Sequence, residues 1–86
     1  MEYTVIDVRE IDEYASGHVE GSINIPLSQF SNSPDRLAQI PKDADIIVYC
    51  RGGLRAEQAK SILNDLGYNN VTNGINTEEV KKNLKL

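Results

Sequence analysis

One stretch of this chain concentrates reactive chemistry: Cys50-Arg51-Gly52-Gly53-Leu54-Arg55. Cys50 is the sole cysteine, and a cysteine acts as a nucleophile through its thiolate. A helix starting just after it would present roughly +0.5 charge and unpaired N–H groups. Such a setting, with cations nearby, brings a cysteine pKa from about 8.5 to about 3.5–7.5. Gly52 and Gly53 admit backbone conformations that a Cβ forbids, so successive N–H groups can turn toward one point and form a nest for an anion. Arg51 and Arg55 flank the loop, and arginine suits bidentate recognition of an oxyanion. Two arginines at a positive helix end oppose the dipole by ~0.3–1 kcal/mol each, an arrangement that makes sense with a negative group at the centre. Position alone would make a lone cysteine after a strand a small core residue, and Gly-Gly a plain turn. Their combination with two arginines favours chemistry.

The loop needs a strand before it and a helix after it. Asp45 to Tyr49 contains Ile46-Ile47-Val48-Tyr49, a continuous β-branched run that suits a strand buried on both faces. Beyond the loop, Ala56, Ala59, Ile62, Leu63 and Leu66 recur at spacings of three and four, which makes one apolar helix face that Gly67 closes. Upstream, Tyr3 to Val8 reads as a strand, Glu10 to Ser16 as a short helix capped by Gly17, and Ser22 to Ile25 as a short strand stopped by Pro26. Ser28 to Ile40 is mixed: Asn32-Ser33-Pro34 interrupts any long helix, and Leu37 to Ile40 is one helical turn. Asn70 to Thr72 reads as a brief strand. Asn76 or Thr77 can cap a last helix holding Val80 and Leu84, with Glu78 and Glu79 in its favourable first turn. Alternating strands and helices predict an α/β fold, a small parallel sheet of about four strands with helices on both faces. Ligands of such sheets sit beyond the carboxyl ends of the strands, which is where Cys50 lies.

At 86 residues the chain is expected to be a single domain over 1–86. Its formal net charge of −4 argues against a general nucleic-acid binder. The imbalance is uneven: residues 1–44 hold eight acids and three bases, residues 45–86 five and six, so anion chemistry belongs in the second half. One cysteine excludes a disulfide-stapled fold. No apolar run is long enough to span a membrane, and the first residues lack the marks of a signal peptide. A cytoplasmic location is expected, or a periplasmic one if a leader once preceded Met1. No apolar surface pattern is legible, and a monomer is expected.

Other candidates carry less. His18, the sole histidine, reads as a structural hydrogen-bonding residue, and one histidine with one cysteine makes no zinc site. Asp7 and Arg9 end the first strand, either facing the site or ion-paired with Glu10 or Glu13; the structural reading is preferred. Tyr3, Tyr14, Tyr49 and Tyr68 are too scattered for a nucleic-acid stacking platform, and Lys81-Lys82 reads as a solvated helix face.

Two blocks together resemble the rhodanese family. The first is Asp7-Val8-Arg9-Glu10, Glu13-Tyr14, then Gly17-His18-Val19-Glu20-Gly21-Ser22-Ile23-Asn24-Ile25-Pro26-Leu27; the second is Val48 to Arg55, continuing into Ala59, Leu63 and Gly67-Tyr68. The likeness covers roughly residues 5 to 75 and is similar to compact single-domain rhodaneses. The late Gly-Gly…Trp element of the family is reduced here to Asn73-Gly74-Ile75, and the chain has no tryptophan. The resemblance implies sulfur transfer without a cofactor. Cys50 would take sulfane sulfur from a small anionic donor such as thiosulfate, hold it as a persulfide and yield it to cyanide or a thiol. The backbone of residues 51–55 (Arg51, Gly52, Gly53, Leu54, Arg55) would hold the persulfide, and Arg51 and Arg55 would bind the donor.

Two rivals follow from the same residues. Phosphatases and arsenate reductases of related fold place five residues between cysteine and arginine, whereas four lie between Cys50 and Arg55, a tighter cradle that suits one extra sulfur. A rhodanese-like module that relays sulfur to a partner protein, or is inert, is the other; retention of Cys50 with both arginines argues against an inert one.

Overall fold

Two β-branched runs build the centre of the molecule. In the computed structural model, which describes residues 3–32 and 35–85, strand β1 (Tyr3–Asp7) lies parallel to β3 (Asp45–Tyr49), in register from Tyr3 opposite Asp45 to Asp7 opposite Tyr49. Strand β2 (Ile23–Asn24) pairs with β1 and β4 (Val71–Ile75) with β3, giving a parallel sheet of order β2-β1-β3-β4. The α/β reading and the four-stranded parallel sheet are therefore observed.

Each sheet face has its own apolar layer. On one, α3 (Leu54–Asp65) lays Ala56, Ala59 and Leu63 against Ile6, Val8, Ile46 and Val48, and Phe30 and Leu37 complete the layer from a 3-10 segment (Leu27–Asn32) and α2 (Asp35–Ala38). On the other, Val5, Ile47 and Tyr49 meet Val19 and Val80, the latter from α4 (Thr77–Leu84). Each fully buried aliphatic side chain stabilises the fold by roughly 1.5–3 kcal/mol. Tyr68 is buried whole because its hydroxyl donates to the carbonyls of Leu37 and Ile40 at 2.7 and 2.9 Å.

Several element bounds differ from those expected, each for a local reason. Strand β2 shrinks to two residues because Ser22 is drawn into a turn, its N–H and hydroxyl both donating to Val19 O at 3.0 and 2.6 Å. The helical turn expected at Leu37 to Ile40 begins earlier, at Asp35; of the break placed at Asn32-Ser33-Pro34, Asn32 ends the 3-10 segment, and Ser33 and Pro34 lie outside the described residues. Strand β4 runs on to Ile75 instead of stopping at Thr72. The Asn73-Gly74 pair, a turn signal in sequence, is absorbed by a register shift that sets Val48 opposite Asn73 but Tyr49 opposite Ile75. A bulge of this kind bends a strand next to a site. Gly74 is required there, because a Cβ would come within 2.6 Å of Val80 Cγ2 and 2.8 Å of Ile47 Cγ2.

Candidate active site

Cys50 is the first residue past β3, and its N–H donates to Ile75 O at 3.1 Å. The chain then turns through Arg51 and Gly52 into Gly53, which is the N-cap residue of α3 at φ +97°. That conformation is open to glycine and strained for other residues. It leaves α3 with no side-chain cap of its own. The cysteine sulfur takes the place of one: Sγ accepts from Gly53 N–H at 3.1 Å and, more weakly, from Ala56 N–H at 3.4 Å. Orphan amides at a helix start are thus satisfied by a sulfur atom.

Cys50 is only 2% exposed. Burial pushes its thiol up, and the backbone amides of Ala56, Gly52, Gly53 and Arg55 together outweigh burial, so the group rests below its ordinary value. The cause is the oriented backbone of the loop, which Gly53 at φ +97° permits.

Above the sulfur opens a pocket of about 210 Å³ walled by Arg9, Cys50, Arg51, Asn76, Thr77 and Glu78. Three elements converge on it: the carboxyl end of β1, the loop after β3 and the N-terminus of α4. That helix start is fixed by Asn76, whose side chain accepts from Glu79 N–H at 2.8 Å. Arg51 is exposed on the wall and makes no ion pair among the described residues.

The predicted residues therefore part company. Cys50, Arg51, Gly52 and Gly53 assemble around the sulfur or on the wall. Leu54 points away and is 74% exposed. Arg55 donates through both terminal nitrogens to Glu13, Nη1 to Oε1 at 2.8 Å and Nη2 to Oε2 at 3.1 Å, and does not line the pocket. The Arg55 guanidinium, with the Glu10 N–H on Oε1 at 3.0 Å, brings the Glu13 carboxyl down to about 2.

Arg9 is the residue the sequence reading undervalued. The ion pair expected with Glu10 or Glu13 is corrected, since Arg9 pairs with Asp7: Nε lies 2.9 and 3.0 Å from Oδ1 and Oδ2, and Nη2 lies 2.7 Å from Oδ2. Asp7 is fully buried, so only a partner directly beside it accounts for its carboxylate. Nη2 also donates to Gly17 O at 2.7 Å. Nη1 makes no hydrogen bond among the described residues, and the side chain is 11% exposed. Arg9 thus lines the pocket while braced from behind, its guanidinium 5.6 Å from the Tyr49 ring centroid. The rule placing ligands at strand carboxyl ends covered β1 as well as β3 and could have found it. Asn76, Thr77 and Glu78 had no comparable signal, because only the tertiary fold brings α4 to the loop.

The upstream block serves as scaffold for this wall. Asn24 Nδ2 donates to the carbonyls of Asp7 and Arg9 at 3.0 and 2.9 Å, and Val19 N–H donates to the Tyr49 hydroxyl at 3.0 Å. His18 stacks on Tyr14 with ring centroids 3.7 Å apart, and its Nδ1 lies 2.9 Å from Tyr14 O.

The rhodanese-like domain family matches residues 1–75. Over 70 residues the chain is 43% identical to the thiosulfate sulfurtransferase PspE of Escherichia coli K12, covering 79% of this chain and 64% of that protein. Over 68 residues it is 44% identical to the HTH-type transcriptional regulator Rv0324 of Mycobacterium tuberculosis, covering 77% of this chain and 29% of that protein. It therefore spans less than two thirds of either curated relative. A solved structure of a rhodanese with anions from E. coli superposes with a TM-score of 0.79 at 36% identity, covering 91% of each chain. Fold, loop and sequence match agree, and the chain belongs to the rhodanese-like domain family.

Proposed function

We propose that this chain is a sulfurtransferase whose nucleophile is Cys50. The observation that carries the reading is the sulfur itself, held by the Gly53 and Ala56 amides at the floor of a pocket walled by two arginines. The thiolate attacks the outer sulfur of a small anionic donor such as thiosulfate. A Cys50 S–S bond forms, the donor's S–S bond breaks, and sulfite departs with the bonding electron pair. Cyanide or a thiolate then attacks the outer sulfur of the persulfide, and Cys50 is released as thiolate. The loop amides stabilise the anion in both states. Arg51 and the free edge of Arg9 receive the donor's oxygens, while Arg55, paired with Glu13, supports the loop. Similarity to a protein named thiosulfate sulfurtransferase favours this donor class.

The test is the intact mass of the chain after incubation with thiosulfate. Gain of one sulfur atom, lost in Cys50→Ser, is expected; no gain refutes the reading. Turnover of an aryl phosphate in place of sulfur transfer would favour the phosphatase alternative, against which the short loop argues. A second reading, relay of the persulfide sulfur to a partner protein, is favoured by the match to one part of a longer regulator. A screen of small-thiol against protein acceptors separates the two.

A further inference from the structure

The thiol cradle depends on a residue that supplies no backbone of its own to it. Gly53 has no side chain to restrain it and sits at φ +97°, so the direction of its N–H must be fixed from outside. On the other side of the sulfur, Cys50 N–H is held by Ile75 O at 3.1 Å. Ile75 is itself anomalous: its φ is +75°, a genuine outlier for a β-branched residue. Asn76 N–H reaches Gly74 O across it at 2.9 Å, the strained positive-φ form of γ-turn. Strain of this order persists only where the surroundings over-determine it, and it clusters at functional sites.

One side chain ties both anomalies together. Asn73 Nδ2 donates to Gly53 O at 3.0 Å and to Glu57 Oε1 at 3.0 Å, and its Oδ1 accepts the Ile75 N–H at 2.9 Å. An amide side chain is required, because the three contacts need two donors and an acceptor on one planar group. We propose that Asn73 is a positioning residue for Cys50: its amide locks Gly53 and Ile75, the backbone on either side of the sulfur, into the one arrangement that aims the Gly53 N–H at the thiolate. Asn73 is the last residue of β4 in the regular register, opposite Val48, and the bulge that follows brings Ile75 opposite Tyr49. The inference rests on Cys50 as the nucleophile, and it assigns the tuning of that nucleophile to β4.

The experiment follows alkylation of the full chain by iodoacetamide across pH, which reads the thiol's midpoint without any sulfur donor, alongside thermal unfolding. The unmodified chain should titrate below about 8.5. Asn73→Ala should raise that midpoint by about one to two units, the shift that loss of one charge-assisted hydrogen bond produces. Asn70→Ala removes a comparable bond at the far end of β4, Asn70 Nδ2 to Asp43 O at 3.2 Å, and should leave the midpoint in place. Where Asn73→Ala does not fold, Asn73→Ser keeps a neutral hydroxyl that can accept from Ile75 N–H and loses the planar pair of donors; it should raise the midpoint likewise. A folded Asn73 variant with the parent's midpoint overturns the proposal, as does an equal shift in Asn70→Ala. Loss of folding in both Asn73 variants marks a structural residue and overturns it too. An ordinary midpoint in the unmodified chain overturns the cradle reading itself, a result distinct from failure of the Asn73 variants alone.

Discussion

Gly53→Ala separates steric from conformational demands at the cradle. A Cβ on Gly53 would lie 3.6 Å from Ile75 Cγ2 and 3.9 Å from Asn73 Nδ2, ordinary contact distances, so space does not forbid alanine. The cost comes from φ +97°, where a left-handed conformation disfavours an L-residue by roughly 1–2 kcal/mol. The variant chain has two ways to meet that cost. If the loop keeps its shape, the whole amount is lost from stability, and the melting temperature falls by roughly 5–15 °C for a domain of this size. If the loop relaxes, part of the stability returns, but the Gly53 N–H swings away from Sγ. The thiolate then loses a hydrogen bond worth about 1.5–3 kcal/mol, which raises the thiol by about one to two units. Unfolding by circular dichroism together with alkylation against pH decides between the two. Gly52→Ala is the control: nothing lies within 4 Å of a Cβ there and its φ is not positive, so both readouts should stay near the parent's. Gly53→Ala with neither change, or Gly52→Ala with the larger one, would refute the assignment of the cradle to the Gly53 backbone.

Glu13→Gln tests the bridge from α1 to the loop. The folded-state carboxyl is held at about 2 against an ordinary 4.5, chiefly by Arg55, so its stabilisation is present above pH 4.5 and is lost as pH falls toward 2. Because both side chains are partly exposed, the loss at neutral pH should be about 1 kcal/mol or less, and acid unfolding of the variant should show a shallower slope in that window. Gly74→Ala forces a Cβ to within 2.6 and 2.8 Å of Val80 and Ile47 and should destabilise by about 1–3 kcal/mol in denaturant unfolding. Arg9→Lys preserves a cation beside buried Asp7 but loses the fork that reaches the pocket; the KM for thiosulfate should rise several-fold more than kcat falls.

Local signals were enough to place Cys50 between a buried strand and a helix start. The run Ile46 to Tyr49 marks a buried strand, the three-four spacing from Ala56 to Leu63 marks a helix, and two glycines between them can only be a loop. Those cues put Cys50 at a helix start without knowledge of any other part of the chain. What could not be read was everything set by pairing across the fold. Arg55 and Glu13 are 42 positions apart, and no periodicity links them. Asn73-Gly74 carries the composition of a turn, yet β3 alongside makes it strand with a bulge, because ladder bonds and the close approach of Val80 outweigh local preference. Arg9 was visible as a residue but not as a pocket wall, since its role depends on which edge of the guanidinium Asp7 and Gly17 leave free.

These pairings change which groups act on the Cys50 thiol. In sequence, Arg51 and Arg55 look like the main electrostatic agents, being the only full charges in the loop. In the fold, Arg55 is matched to Glu13 and Arg9 to Asp7, so much of their field is cancelled close by. The forces that lower Cys50 against its own burial are backbone amides, which no carboxylate can neutralise and no salt can exchange. A cradle built this way draws the Cys50 thiol down whether or not an anionic donor is bound. In the proposed reaction, that leaves Arg51 and the outer edge of Arg9 to attract the donor without being consumed in activating the nucleophile. On that proposal, activation and recognition fall to different atoms: the first to Gly53, Ala56 and the strands that aim them, the second to side chains on the rim.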